Sequence, residues 1–197
     1  MGNAENLKKT KNKSLTVFLA VLLLAAILVS VFFICMNVWQ KAEKRMYPLD
    51  YYDIVAKYSK EFGVPESVIL AVMRTESGFD PDAESAAGAK GLMQLMPTTY
   101  EWLLGKLKED EGDITDPETN IKYGTYLLSI LYNRFEDRDC AIAAYNAGIG
   151  RVGKWVDNPE YFKNGKLEVI PIEETDTYVK RVNKAIEAYK RIYGIDA

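Results

Sequence analysis

The 197-residue sequence contains no histidine and only two cysteines. The lack of histidine excludes Ser-His and Cys-His nucleophilic pairs and every His-ligated zinc site. Cys35 lies in a long apolar run and Cys140 in a distant polar region, so a structural disulfide between them is not expected. Cys140 has apolar neighbours and is expected to be a small buried side chain. Proton transfer in this chain must therefore fall to carboxyls, tyrosines, lysines or water.

The sequence also lacks a spaced set of metal ligands and a glycine-rich phosphate loop, so no metal and no cofactor are expected. Its charge is unevenly distributed. Residues 1–46 carry seven basic and two acidic groups, and residues 47–197 carry eighteen and twenty-six. An acidic domain binds nucleic acid poorly, because affinity for nucleic acid comes mainly from phosphate neutralisation. No nucleic-acid partner is expected.

A long uncharged run near the N-terminus predicts a membrane helix. Residues 15–37 are mostly leucine, valine, alanine, isoleucine and phenylalanine, enough to cross the hydrocarbon core at helical rise. The run does not end in the small residues of a signal-peptidase site, and Trp39 is placed as an interfacial anchor. Four lysines precede the run and three basic residues follow it, which favours a cytoplasmic N-terminus. We therefore predict a single-pass protein of the cell membrane with its larger part on the extracytoplasmic side.

The predicted organisation has four segments. Residues 1–14 form a basic cytoplasmic tail, residues 15–37 the transmembrane helix, residues 38–49 a juxtamembrane linker, and residues 50–197 one compact domain. The domain is predicted to be mainly α-helical with little β structure. Its helix boundaries come from capping residues and from prolines and glycines at helix ends: helices begin near Tyr51, Pro65, Pro97, Asp116, Asp139 and Thr175. Residues 157–172 are expected to form a loop or short hairpin.

One carboxyl in this domain has an unusual setting. Glu76 ends an apolar segment, and Met73, Val72 and Ile69 precede it at helical spacings of three, four and seven. The carboxyl therefore shares a helix face with core residues and lies near the helix C-terminus, where the dipole disfavours negative charge. Burial and dipole both raise the pKa of a carboxyl, as a general acid near neutral pH requires. An ion pair with Arg74 is the structural alternative, but a residue two positions away points to another side of the helix.

Four motifs in order resemble the soluble lytic transglycosylase family. They are Glu76-Ser77, Gly91-Leu92-Met93-Gln94, Ala144-Tyr145-Asn146-Ala147-Gly148 and Thr175-Asp176-Thr177-Tyr178-Val179. The resemblance covers most of residues 50–195 and implies a lysozyme-like helical fold. It also implies cleavage of the β-1,4 bond between N-acetylmuramic acid and N-acetylglucosamine in peptidoglycan. In that family the muramyl C6 hydroxyl replaces water and leaves a 1,6-anhydro end.

The resemblance implies that Glu76 acts alone as acid and then as base, because the substrate's N-acetyl oxygen assists at C1. It places substrate-binding roles on seven residues: Ser77, Ser85, Met93, Gln94, Tyr145, Asn146 and Tyr178. Ser85 would contact the N-acetyl group or the catalytic region. Most glycosidases need two carboxylates. The three acids that follow, Asp80, Asp82 and Glu84, are expected to be solvated surface groups.

The other implied roles are more specific. Gln94 could donate to and accept from an acetamido group, and Met93 would supply an apolar contact to the sugar. The hydroxyl of Tyr145 would lie close to Glu76, and a hydrogen bond between them would orient the acid. Tyr178 would close the wall of the cleft or pack in the core.

Two alternatives remain open from the sequence. A goose-type lysozyme would use the same fold and cut the same bond with water. A non-catalytic glycan-binding scaffold of an envelope complex would keep the cleft without the chemistry. Peptidoglycan strands and the membrane are the expected partners in each case, and the sequence names no protein partner.

Overall fold

The computed structural model describes the backbone of residues 2–196 and the side chains of residues 18, 19 and 21–196. The chain divides into two units, Met1–Met46 and Tyr47–Ala197. The elements in chain order are α1 (Gly2–Met46), α2 (Tyr52–Phe62), α3 (Glu66–Glu76), α4 (Pro97–Leu107), α5 (Pro117–Arg134), α6 (Arg138–Ala147), α7 (Ile149–Val156), β1 (Phe162–Lys163), β2 (Lys166–Leu167) and α8 (Glu173–Tyr193). The prediction of a mainly helical fold with little β structure is confirmed.

Helix α1 contains all the described residues of the first unit. Its described large apolar side chains, from Phe18 to Trp39, are exposed, and the stretch Val21–Met46 is long and apolar enough to cross a membrane. Most of the predicted linker at residues 38–49 is helical, since α1 continues to Met46. The reason is local: residues 40–46 are good helix formers, and Pro48 is the first residue after the apolar run that cannot continue a helix.

The capping signals place most helices of the second unit correctly. The Asp116 carboxylate accepts a hydrogen bond from the Thr119 amide at the start of α5, and Gly63 ends α2 with a positive φ. The predicted hairpin is present as β1 and β2, which pair antiparallel. Sequence reasoning missed α7. Its two glycines lower the helix propensity of an eight-residue segment, and burial of Val152 and Trp155 compensates for it.

Two apolar clusters form the core of the second unit. The larger one joins α2, α3, α5, α6 and α8, and the smaller one joins α4 and α5 through Leu95, Tyr100, Leu103, Leu104 and Tyr123. Helix α3 is buried from Ser67 to Met73 and packs on α8. The loop between α3 and α4 connects the clusters, because Met93 belongs to the larger one and Leu95 to the smaller. This loop and the C-terminus of α3 therefore meet where the two clusters join.

Candidate active site

Glu76 is the last residue of α3 and is partly buried. Burial of its carboxyl raises the pKa from 4.5 to about 7, although the Tyr178 hydroxyl and the charge of Arg181 both act in the opposite direction. Desolvation dominates because the charged form loses hydration that one hydrogen bond and one partly screened cation do not replace. A carboxyl with this pKa can donate and accept a proton near neutral pH.

The Tyr178 hydroxyl on α8 donates a hydrogen bond of 2.7 Å to Glu76 Oε1. Burial and the neighbouring Glu76 charge raise the pKa of Tyr178 well above its ordinary value, so the phenol keeps its proton and remains a donor. Arg74 does not pair with Glu76; its guanidinium carbon lies 4.5 Å from the centroid of the Tyr47 ring. The alternative of an ion pair between Glu76 and Arg74 is therefore wrong.

The expected hydrogen bond between Tyr145 and Glu76 is also wrong. The Tyr145 hydroxyl donates instead to the carbonyl oxygen of Met93 at 2.8 Å. Tyr145 nevertheless lies within electrostatic range of the acid, because the Glu76 charge contributes to its raised pKa. The physical reason is the path of the loop after Gly91, which presents a backbone carbonyl that would otherwise be buried without a donor. Tyr145 thus positions the loop, and Tyr178 positions the carboxyl.

The loop from Gly91 to Leu95 is held from several sides. The Ser77 hydroxyl donates to the Leu92 carbonyl at 2.8 Å and accepts from the Phe79 amide, which ties the loop to the residue that follows Glu76. Asn120, fully buried on α5, accepts from the Met93 amide at 2.7 Å. Its side-chain amide donates to the carbonyls of Lys90 and Ile114. Every polar atom of this buried side chain therefore has a partner.

The backbone of Gly91 packs closely against the side chain of Asn120. Its φ of 76° lies in the left-handed region, and a Cβ added there would overlap the side-chain amide of Asn120. Only glycine combines this backbone conformation with so close an approach. The first residue of the Gly91-Leu92-Met93-Gln94 motif is therefore required by Asn120.

Two of the predicted sugar contacts have structural roles. Met93 has no exposed surface, and its side chain packs against Gly124 of α5. The Nε2 amide of Gln94 donates to the carbonyls of Ala83 and Gly91, at 2.9 Å and 3.0 Å. Both of its donor hydrogens are thus used within the loop, and Gln94 can offer a ligand only its carbonyl oxygen. The prediction that Gln94 both donates to and accepts from an acetamido group is wrong for this conformation.

The remaining predicted residues lie around this centre. The Ser85 hydroxyl accepts from the Ala89 amide at 3.0 Å, within a tight turn of the same loop. Asn146, at the exposed end of α6, accepts through Oδ1 from the buried Thr175 hydroxyl at 2.8 Å. This bond joins the third and fourth motifs. Five of the predicted residues thus form one cluster in the structure: Glu76, Ser77, Met93, Tyr145 and Tyr178. The other three, Ser85, Gln94 and Asn146, make hydrogen bonds around it.

Sequence reasoning missed Asn120 and Arg181. Asn120 could have been noticed as an amide one turn into α5 and next to the core residue Ile121. Arg181 follows Tyr178 by three residues and therefore lies on the same helix face. By contrast, Asp80, Asp82 and Glu84 are exposed, as expected for solvated acids.

Comparison with known proteins places this site in a family. Residues 53–167 match the profile of the transglycosylase SLT domain. The soluble lytic murein transglycosylase of Escherichia coli strain K12 is 38% identical over 168 residues, covering 80% of this chain and 25% of that protein. The membrane-bound lytic murein transglycosylase C of Mannheimia succiniciproducens is 34% identical over 167 residues, covering 72% of this chain and 47% of the relative.

Solved structures agree with the sequence comparison. The 70 kDa soluble lytic transglycosylase of Escherichia coli superposes with a TM-score of 0.73 at 34% identity, covering 81% of this chain and 27% of the other. An inactive mutant of the lytic transglycosylase Slt from Pseudomonas aeruginosa gives a TM-score of 0.68 at 34% identity, covering 74% and 24%. The chain spans about a quarter to a half of the length of these relatives. Because the profile covers more than half of the chain and includes the Glu76 loop and the Tyr145 motif, this protein belongs to the transglycosylase SLT family.

Proposed function

We propose that this chain is a peptidoglycan lytic transglycosylase with Glu76 as its single acid and base. The observation that carries the proposal is one partly buried carboxyl whose pKa is about 7, hydrogen-bonded by a tyrosine rather than by a second acid. With no second carboxylate to form a covalent intermediate or to activate the nucleophile, this one group must take the proton from the attacking hydroxyl itself, and a hydroxyl of the bound substrate is already held in place. The muramyl C6 hydroxyl meets this need. The lytic murein transglycosylases to which the chain is similar support the same substrate.

In the first step, protonated Glu76 gives its proton to the glycosidic oxygen as the bond from that oxygen to muramyl C1 breaks. The substrate's N-acetyl oxygen assists at C1. The C6 oxygen then bonds to C1, and the Glu76 carboxylate takes the C6 hydroxyl proton, which regenerates the acid. Water is not consumed in either step. Tyr178 holds the carboxyl through both steps, and its own high pKa prevents it from becoming the base.

The decisive experiment compares Glu76→Gln with Glu84→Gln. The amide is isosteric with the acid and can still accept the Tyr178 hydrogen bond, but it cannot transfer a proton at neutral pH. We expect Glu76→Gln to lower the rate on purified peptidoglycan by at least about 100-fold, and the exposed Glu84 variant to retain it. Mass spectrometry of the wild-type fragments should show 1,6-anhydromuramyl ends.

Other products would assign another function. Reducing muramyl ends, one water heavier, would identify a hydrolytic lysozyme. Binding of peptidoglycan by the wild type without any cleavage would identify a glycan-binding scaffold. A fully active Glu76→Gln variant would remove the catalytic assignment itself.

We further propose that α1 crosses the cell membrane once and leaves the catalytic unit on the extracytoplasmic side, where peptidoglycan lies. The length, low polarity and exposure of its apolar side chains support insertion, and the membrane-bound name of one relative agrees. Proteolysis of intact spheroplasts should digest residues 47–197 and spare the first unit. Protection of the catalytic unit would contradict this topology.

A further inference from the structure

The first two residues of the second unit, Tyr47 and Pro48, are fixed to α8 through their backbone carbonyls. The Tyr193 hydroxyl donates to the Tyr47 carbonyl at 2.7 Å, and the Tyr189 hydroxyl donates to the Pro48 carbonyl at 3.0 Å. The Tyr47 ring is buried and meets the Tyr189 ring edge-on, with the two centroids 5.6 Å apart. Two hydrogen bonds and a ring contact thus hold a segment that is neither helix nor strand.

The Tyr47 ring also contacts α3. The guanidinium carbon of Arg74, in the last turn of α3, lies 4.5 Å from the centroid of this ring, and a guanidinium over an aromatic face is attracted by the ring quadrupole. Burial raises the pKa of Tyr189, and the positive charge of Arg74 acts in the opposite direction, so the arginine is also within electrostatic range of α8. Tyr47 therefore connects the last turn of α3 to the C-terminal half of α8. We call Tyr47 and Pro48, with the three side chains that hold them, the α3–α8 brace.

Helices α3 and α8 pack on each other in antiparallel directions. At one end of the pair, Tyr178 near the start of α8 donates to Glu76 at the end of α3, at 2.7 Å. At the other end, the Ser67 amide near the start of α3 donates to the Asp196 carboxylate, which follows α8, at 2.9 Å. The position of α8 along α3 therefore decides whether Tyr178 reaches the acid, because a displacement of about 1 Å can take a donor out of hydrogen-bond range.

The brace acts on the helix pair that carries the acid and its donor. Arg74 precedes Glu76 by two residues, and Tyr189 follows Tyr178 by eleven. Eleven residues are three helical turns, so the two tyrosines lie on one face of α8. In the chain, the brace follows directly on Met46, the last residue of α1. The residues that join the second unit to α1 are thus among those that fix α8 against α3.

We propose that Tyr47 is a positioning residue for the proposed acid and base: by bracing α3 against α8, it holds the Tyr178 hydroxyl within hydrogen-bond range of Glu76. Tyr47 acts through the two helices and takes no part in proton transfer. The proposal rests on the proposed function for the identity of the reaction, whereas the hydrogen bond itself can be followed without any reaction. Its consequence is that the first residues after α1 belong to the catalytic machinery.

The test measures the pKa of Glu76 directly, in the full chain in detergent. Glutamate labelled with carbon-13 in the carboxyl group gives the titration by NMR, and the Glu76 signal is the one absent from Glu76→Gln. The Tyr178 hydrogen bond lowers the Glu76 pKa. Tyr47→Ala should weaken that bond, so we expect a higher Glu76 pKa in this variant. Tyr47→Phe keeps the ring and the backbone carbonyl, and it should leave the pKa unchanged.

Kinetics give an independent readout. The groups that act on the Glu76 charge, Tyr178 and Arg181 from α8 and Tyr145 from α6, are all retained in Tyr47→Ala. On purified peptidoglycan we expect kcat to fall about 5-fold and the alkaline limb to move to higher pH, with KM close to that of the wild type. In a Tyr178→Phe background, Tyr47→Ala should not move the limb further, because the bond it acts on is already absent.

Two further variants separate positioning from a general loss of stability. Leu104 is 8% exposed, close to the 9% of Tyr47, and it belongs to the smaller cluster, whose described members include none from α3 or α8. Leu104→Ala should therefore destabilise the unit and leave the Glu76 pKa unchanged. Tyr189→Phe removes the donor to the Pro48 carbonyl and keeps the ring. It should raise the Glu76 pKa by less than Tyr47→Ala does.

An unchanged or lowered Glu76 pKa in folded Tyr47→Ala would overturn the proposal, and so would an equal rise in Leu104→Ala. Should Tyr47→Ala fail to fold, Tyr189→Phe decides the matter, and an unchanged pKa in that variant would overturn the proposal. The failure of the proposed function is separate. A wild-type chain that leaves peptidoglycan uncut, or cuts it with water, would remove the transglycosylase activity and leave the NMR test of the brace intact.

Discussion

Glu76 meets two opposed requirements, one through burial and the other through two neighbouring side chains. Burial favours its neutral form and makes it an acid near pH 7, while Tyr178 and Arg181 favour its charged form and make it an adequate base. Neither neighbour is an acid, so the carboxyl titrates without a coupled partner carboxylate. A single group that alternates between donor and acceptor works best when its pKa lies near the working pH, and this balance provides it.

Tyr178→Phe removes the hydrogen bond that lowers the Glu76 pKa. We expect the alkaline limb of the activity profile to move to higher pH and kcat to fall by about 10-fold to 100-fold, because a hydrogen bond to a charged group is lost. The profile of initial rate against pH on purified peptidoglycan measures both effects. Tyr132→Phe is the matched control, since the buried Tyr132 hydroxyl has no hydrogen-bond partner among the described residues. An unmoved alkaline limb in Tyr178→Phe would contradict the hydrogen bond.

Arg181→Gln removes only a charge. The positive charge of Arg181 lowers the Glu76 pKa, so its loss should move the alkaline limb in the same direction as Tyr178→Phe, but by less, since Arg181 is the smaller of the two influences. The value of kcat at the new optimum should stay close to that of the wild type. Arg181→Lys keeps the charge and should restore the original profile. A shift to lower pH in Arg181→Gln would show that the guanidinium does not act on this carboxyl.

At the scale of elements, the loop between α3 and α4 is shaped mainly by residues outside it. On α5, Asn120 accepts a hydrogen bond from the Met93 amide. Gly124, one turn later, packs against the Met93 side chain. Ser77 and Tyr145 hold the adjacent carbonyls. A loop held by residues of three helices keeps one conformation, so little further entropy would be lost if it bound a ligand.

Asn120→Ala should destabilise the second unit by about 3 kcal/mol or more, because it leaves the Met93 amide and two carbonyls buried without partners. Asn133→Ala, on an exposed position of the same helix, should change stability by less than about 0.5 kcal/mol. Urea unfolding of the full chain in detergent measures the difference. Equal stability of the two variants would show that Asn120 does not hold the loop.

Helix α5 gives a second test at this scale. A Cβ at Gly124 would overlap the Met93 side chain, whereas a Cβ at Gly105 of α4 meets nothing within 4 Å. Gly124→Ala should therefore destabilise the unit by about 1–3 kcal/mol through overpacking, and Gly105→Ala should stabilise it by up to about 1 kcal/mol through helix propensity. Thermal unfolding of both variants measures the contrast. Stabilisation by Gly124→Ala would contradict the close contact between α5 and the loop.

At the scale of the whole molecule, the raised Glu76 pKa links catalysis to stability. With a pKa of about 7 in the folded chain and 4.5 as its ordinary value, the folded state binds more protons between these limits. The contribution of Glu76 to stability is therefore fully present below pH 4.5 and is lost as the pH rises through 7, by about 3 kcal/mol. Glu76→Gln removes this loss.

We expect the free energy of unfolding of Glu76→Gln, minus that of the wild type, to grow by about 3 kcal/mol between pH 4 and pH 8. Denaturant unfolding of the full chain at a series of pH values measures this difference. Glu84→Gln is the control, because the carboxyl is exposed and its variant should run parallel to the wild type. A difference that shrinks with pH would mean that the acid is not desolvated in the folded state.

The sequence by itself determined the features that arise from short-range chemistry. Caps such as Asp116 and Gly63 set helix boundaries, the uncharged run predicted α1, and the position of Glu76 at the end of an apolar helix face predicted its raised pKa. These signals act within a few residues of the chain, so they can be evaluated without knowing the fold. The end of the apolar run does not mark the end of the helix, because the residues that follow it are good helix formers and α1 continues to Met46.

Only the tertiary structure decided which side chain meets which. Tyr178 reaches Glu76 across 102 residues of sequence and Tyr145 reaches Met93 across 52. The sequence predicted the bond to Glu76 for Tyr145, and the fold gives it to Tyr178. The sequence likewise does not show that the carbonyls of Ala83 and Gly91 take both donor hydrogens of Gln94 and leave only its carbonyl oxygen for a ligand. The role of Asn120 likewise depends on how α5 packs against the loop between α3 and α4. The physical reason is that packing brings distant groups within reach of one another, and each hydrogen-bond donor or apolar surface then contacts only some of them. Which partner it contacts depends on the packed helices and cannot be evaluated from neighbours in the sequence.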